Sequence, residues 1–102
     1  MILLCALSAV EPELPLRVTL VDGRSLAIFN VDGSIFATAD GCTHGDASLA
    51  EGYVEGFEVE CPFHQGRFDI RTGAPTAAPC TIRLQTYPVV LRDGSVYLDA
   101  PD

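Results

Sequence analysis

The chain has 102 residues, a hydrophobic share of 48% and a formal net charge of −8. That length bounds it to one domain with a modest core. The acidic balance excludes a nucleic-acid binder, which needs a basic footprint, and suits a protein that meets basic patches on its partners through electrostatic steering.

The chain opens on "MILLCALSAV". No Lys or Arg precedes this apolar run, as a signal peptide would require, and it is too short to span a bilayer. It reads as a first core strand, and no later segment is a membrane span. "LRVTLVDGRSLAIFNVDGSIFATAD" reads as three strands joined by tight turns. Leu16, Val18 and Leu20 alternate with Arg17 and Thr19, the period of a half-buried strand. Asp22-Gly23 and Asp32-Gly33 are hairpin signals, because Gly tolerates the positive φ such turns demand. "YVEGFEVE" repeats the pattern around Glu55-Gly56, and "TYPVVLRDGSVYLDA" gives a last hairpin around Asp93-Gly94. No stretch of a dozen residues sustains a helical period. The expected fold is all-β, a small antiparallel sandwich or barrel, forming one domain over residues 1–102.

Both histidines and two of the four cysteines fall between residues 42 and 64, as two Cys–His pairs: Cys42-Thr-His44 and Cys61-Pro-Phe-His64. Each pair begins where a strand ends, so both lie on loops held out from a stiff scaffold. Thiolate and imidazole together suit zinc, copper and iron–sulfur centres. A zinc finger pairs Cys with Cys and His with His, whereas here each loop offers one of each. Cys42 and His44 are one residue apart, which serves a single metal only in a sharp bend. Two metals side by side are reached more easily, one taking both Cys and the other both His. The remaining pair, Cys5 and Cys80, has no ligand-type neighbours and reads as small buried hydrophobes, kept reduced in a cytoplasmic setting.

The pattern C-x-H, sixteen residues, C-x-x-H resembles the Rieske 2Fe-2S motif, in which two His replace two Cys on one iron. "CTHG", "CPFHQGRFD" and the later Pro-rich "TGAPTAAPC" look like the loops of Rieske-type ferredoxins that serve bacterial aromatic-ring-hydroxylating dioxygenases. The resemblance extends to the closing "VYLDA" strand. It implies a cluster-binding subdomain at about residues 40–80, two ligand loops with a covering Pro-rich loop, and one 2Fe-2S cluster held by Cys42, His44, Cys61 and His64. Two ferric ions, two sulfides and two thiolates sum to zero charge, so the site accepts an electron more readily than an all-Cys centre. The extra electron is expected on the His-bound iron, and the free edges of His44 and His64 are expected to form the electron exit.

The resemblance also implies the role. The chain would be a one-electron carrier between a flavin-dependent ferredoxin reductase and a terminal oxygenase with its own Rieske centre and mononuclear iron. It would be no catalyst itself, since no third His exists to build an oxygenase iron site. A Rieske-type subunit of another complex, of monooxygenase or nitrite-reductase small-subunit type, is the alternative, and a monomer is the expected state. Respiratory Rieske proteins carry a loop-to-loop disulfide where this chain has Ala47 and Phe63. They carry Ser and Tyr hydroxyls where it has Gly66 and Phe68. Both absences point to the low end of the Rieske potential range.

Several neighbours gain expected supporting roles. Gly41, Gly45 and Gly66 would permit tight bends and close approach of backbone N–H groups to the sulfides. Pro62 would stiffen the second loop, and Pro75 and Pro79 the covering loop. Thr43 and Gln65 would offer backbone amides, and Asp46 would end a bend. Phe63 would either shield the cluster or anchor its loop. Glu51, Glu55, Glu58 and Glu60 form either a docking face for a basic partner or a solvated strand face, with Glu58 and Glu60 on one side of their strand.

Overall fold

The computed structural model describes residues 1–41, 47–62, 65–78 and 81–99. Among the described residues eleven strands form three antiparallel sheets. In chain order they are β1 Ile2–Ala6, β2 Leu16–Thr19, β3 Ser25–Val31, β4 Ser34–Ala39, β5 Tyr53–Glu55, β6 Glu58–Glu60, β7 Arg67–Asp69, β8 Pro75–Ala77, β9 Thr86–Tyr87, β10 Val89–Arg92 and β11 Ser95–Leu98. The sheet orders are β1-β11-β10, β2-β3-β4-β9 and β5-β6-β7-β8. Short 3-10 turns at Leu7–Ala9 and Leu49–Glu51 interrupt the strands. Among the described residues no helix is long and apolar enough to cross a membrane.

The all-β expectation holds, and each Asp-Gly or Glu-Gly signal marks a hairpin. Asp32 and Gly33 both have positive φ, as do Asp93 and Gly94. That is the two-residue turn whose twist matches the flanking strands. At the β5–β6 turn only Gly56 is positive, the variant with Gly in the first central place. The β2–β3 connection is wider than the sequence suggests. The Leu20 N–H reaches the Arg24 carbonyl at 2.7 Å, and the Asp22 carboxylate accepts from the Arg24 N–H and Nε.

Packing explains the run "SLAIFNV" of β3, which is nearly all apolar. Successive side chains of a strand point to opposite faces, and both faces of β3 are covered. Leu26 and Ile28 enter one core with Leu4, Val10, Leu20, Ala37, Val96 and Leu98. Ala27, Phe29 and Val31 enter a second with Leu49, Val59, Cys61, Phe68, Ile70 and Leu84. The first core joins the β1 and β2 sheets. The second joins the β2 sheet to the β5 sheet, aided by an edge-to-face contact between Phe36 and Phe57 at 6.0 Å.

Two elements go beyond the sequence reading. Part of the Pro-rich covering segment is a strand, β8, which pairs with β7 at the sheet edge. Pro75 opens that strand, a position and an edge that tolerate its missing N–H. The stretch before the last hairpin contributes β9 to the β4 sheet instead of extending β10. Cys5 is half-buried in β1 and makes no disulfide. Burial raises its thiol pKa, in keeping with a packed, unreactive thiol. Cys80 lies outside the described residues.

Because β3 serves both cores, damage on either face should weaken the whole molecule. Phe29→Ala is expected to cost about 3–5 kcal/mol, a large part of the stability of a small domain. In urea denaturation it should lower the midpoint while the unfolding remains one transition. Two separated transitions would contradict the shared strand.

Candidate metal centre

Both ligand loops rise from the second core, and each is tied at its neck. The first leaves β4 through Asp40 and Gly41 and returns at Ala47 and Ser48, with Gly41 and Ser48 forming an antiparallel bridge. Asp40 is buried, 3% exposed. Its carbonyl accepts from the Leu49 N–H at 2.7 Å. Its carboxylate accepts from the Ser48 hydroxyl at 2.7 Å and from the Ala50 N–H at 2.9 Å. The second loop leaves β6 at Cys61. The Cys61 N–H donates to the Gly66 carbonyl at 2.8 Å, and the Gln65 N–H donates to the Cys61 carbonyl at 3.1 Å. Gln65 has φ 59°, a left-handed conformation uncommon for a residue with a side chain.

Of the four sequence-predicted ligands, Cys61 is described, and Cys42, His44 and His64 lie outside the described residues. Cys61 is fully buried and shares the second core with Ala47 of the first loop and with Leu49 and Phe68. The necks of the two loops therefore stand on one buried cluster that includes a thiol. The chemistry of the donor set, two soft thiols and two imidazoles, fits a mixed-ligand iron–sulfur cluster. Among the described residues no three His, Cys, Asp or Glu side chains gather into a metal site. The predicted set thus has no competitor in that part of the chain.

The predicted neighbours divide. Ala47 and Phe68 are buried, so the position aligned with the Tyr hydroxyl holds a ring packed in the core, where Phe68 pairs with Val59 across β6 and β7. Gly66 is buried at the loop neck. Among the described residues no atom lies within 4 Å of where a Cβ on Gly41 would be. Thr43, Gly45, Asp46, Phe63 and Pro79 lie outside the described residues.

The glycines under real constraint were not singled out by the sequence. A Cβ on Gly52 would lie 2.2 Å from the Glu60 carbonyl oxygen, one residue before Cys61. Gly73 has φ 81°, and its Cβ would lie 2.0 Å from the Leu84 carbonyl oxygen. The Leu84 N–H donates to the Gly73 carbonyl at 2.8 Å. This contact fastens the end of the covering segment to the β7–β8 turn.

The glutamates share a single cation. Arg67 on β7 lies 3.5 Å from Glu55, 3.3 Å from Glu58 and 3.0 Å from Glu60. Glu58 and Glu60 do lie on one side of β6, with Val59 buried between them. Glu51 belongs to the 3-10 turn instead. Nearby, Arg71 binds Asp69 at 3.0 Å and stacks over the Phe57 ring at 4.3 Å. The Arg71 hydrogen bond holds the Asp69 carboxyl below its ordinary pKa. These pairs give the acidic hairpin a structural task in its own sheet.

Comparison with known proteins gives the family. Residues 1–88 match the Rieske 2Fe-2S domain. The ferredoxin component of the p-cumate 2,3-dioxygenase system of Pseudomonas putida is 50% identical over 97 residues, covering 94% of this chain and 82% of that protein. The solved structure of the Sphingomonas yanoikuyae B1 ferredoxin superposes with a TM-score of 0.94 at 47% identity, covering 98% of both chains. A complex of reduced oxygenase and oxidized ferredoxin in carbazole 1,9a-dioxygenase contains a chain similar at TM-score 0.90 and 42% identity. That match covers 95% of this chain and 99% of the other.

The Gly52–Glu60 approach packs the chain after the 3-10 turn against the residue just before Cys61, so it should be sensitive to one methyl group. Gly52→Ala is expected to cost about 1–3 kcal/mol through overpacking against a backbone carbonyl and to lower iron bound per chain. Iron and sulfide analysis beside a denaturation curve checks this. Full iron content with unchanged stability would show that the close approach is not constraining.

Proposed function

We propose, from the premise that this chain belongs to the Rieske 2Fe-2S domain family, that it is the ferredoxin component of an aromatic-ring-hydroxylating dioxygenase system. It carries electrons and catalyses no reaction alone. The observation that carries this reading is the convergence of two neck-tied loops on one buried cluster containing Cys61. Kinship to a dioxygenase ferredoxin component over nearly the whole chain supports it.

When bound, a Rieske cluster accepts one electron and releases it again. Cys42 and Cys61 would hold one iron, and His44 and His64 the other. The chain's own residues set the conditions around that group. Phe68, Leu49 and Ala47 exclude water from beneath the loops. The Gly66–Cys61 and Gly41–Ser48 ties close the necks of both loops, which favours a site that rearranges little when the charge changes. A flavoprotein reductase as donor, a terminal oxygenase as acceptor, a monomeric state and a cytoplasmic location complete the proposal. The oxygenase is the partner with a solved counterpart among similar chains. Contacts with both partners must form and dissociate in turn, so each should be small.

The packed Phe68 and the buried Gly66 supply no side-chain hydroxyl near the second loop. Hydrogen bonds to cluster sulfur raise potential. The purified, red-brown protein is therefore expected to contain two irons and two acid-labile sulfides per chain. It should show a rhombic paramagnetic signal on reduction and a midpoint near about −150 mV. A midpoint above about +100 mV would refute the role given to Gly66 and Phe68. A colourless protein that binds zinc would refute the function.

A further inference from the structure

We propose that the Arg17–Asp40 pair is a positioning element for the cluster. Asp40 closes the neck of the first ligand loop and places a buried negative charge beside it, while Arg17 sets how strongly that charge is felt. The inference rests on the function proposed above and concerns residues for which that reading gave no role.

Asp40 is the one buried carboxylate among the described residues. Removing a carboxylate from water is costly unless it is paired and hydrogen-bonded. Asp40 spends its bonds on one task. Two residues before Cys42, it reaches across the loop to Ser48 and Ala50 through its carboxylate. Its carbonyl takes the Leu49 N–H, and its own N–H donates to the Ser25 carbonyl at 2.9 Å. One residue thereby ties the outgoing strand, the returning chain and β3 together. Among the described residues no buried side-chain nitrogen or oxygen lacks a partner, so the knot is fully satisfied. Among the described residues one cation faces this charge. Arg17, on β2, places Nε 3.4 Å from the carboxylate with its own side chain 58% exposed.

Chain geometry keeps this charge near the cluster. Two residues of backbone span at most about 7 Å between the Cα atoms of Asp40 and Cys42. A negative charge so close and buried opposes the arrival of an electron, and the field of the Arg17 guanidinium offsets part of that opposition. The wet side of Arg17 screens the pair, so the net effect falls between that of a bare carboxylate and none. A neck that served shape alone would work equally well with a neutral amide. An Asn at this position can accept the Ala50 N–H through its oxygen and donate its NH2 to the Ser48 hydroxyl. Shape and charge are therefore separable by substitution.

The experiment compares wild type with D40N, R17Q, S48A and D40A as purified holoproteins. It reads midpoint potential, the line shape of the paramagnetic signal, and the rate at which a chelator bleaches the visible absorbance. D40N should keep the wild-type line shape and raise the potential. R17Q should lower the potential, because it uncovers the carboxylate. These opposite signs are the signature, since loosening alone moves both variants the same way. D40A cuts the neck and should lose its iron about tenfold faster or more, and S48A, which removes one arm, should fall between. D40N and R17Q preserve the shape of the neck and carry the test even where D40A does not fold. Equal potentials in wild type, D40N and R17Q, shifts of one sign, or wild-type bleaching rates in both S48A and D40A would overturn the inference. A wild type without the cluster overturns the proposed function instead, and that is visible before any variant is made.

Discussion

Everything in this molecule depends on β3 being buried on both faces. A strand has two sides, and in a small sheet protein one of them usually meets water. Here neither does. Leu26 and Ile28 face one core, and Ala27, Phe29 and Val31 face the other. A three-sheet arrangement of this length would otherwise have to stabilise a site-bearing sheet with only a few short strands, which is marginal in water. Sharing β3 lets the β5–β8 sheet rest on a wall already fixed by its neighbours. The ends of the ligand loops rest on that wall, since Ala47, Leu49 and Cys61 are members of the same core.

The two loops meet the same demand by different means. The second is short and closes with backbone bonds between Cys61 and Gly66, accepting a left-handed Gln65 as the local cost. The first makes a longer excursion and receives a side-chain knot at Asp40. Closure entropy rises with loop length, so extra ties are more useful there. The covering segment uses a third device. Leu84 is driven into the core, and its amide meets the Gly73 carbonyl where no side chain would fit.

The parts of this fold legible in the sequence are those encoded within a few residues. Asp32-Gly33 and Asp93-Gly94 specify their turns because both residues adopt positive φ. The alternation of Leu16, Val18 and Leu20 survives as alternating exposure. The ligand pattern and its spacing gave the family. What was not legible depends on partners distant in the chain. β8 and β9 are too short to show a period and adjoin or contain prolines. Gly52 and Gly73 look like any turn glycine until the Glu60 and Leu84 carbonyls are placed beside them. Asp40 reads as the polar end of a strand until Ser48 and Ala50 fold back onto it.

Charge follows the same division between internal ties and outward surface. The six cations of the chain are all arginine, against fourteen acids. Arg17, Arg24, Arg67 and Arg71 each bind an Asp or Glu of their own neighbourhood, and Arg83 donates to the Thr72 carbonyl. The planar guanidinium holds such pairs in a fixed geometry better than an ammonium would. Most of the positive charge is thus drawn into short pairs, and the excess that remains is negative. Around Arg67, three carboxylates against one guanidinium leave two negative charges over. A field of uniform sign acts before contact and weakens beyond about 8 Å at physiological salt. It favours encounter with a basic surface without adding tight contacts that would slow release. For the carrier proposed above, internally paired arginines on an acidic exterior would serve both stability and exchange between partners.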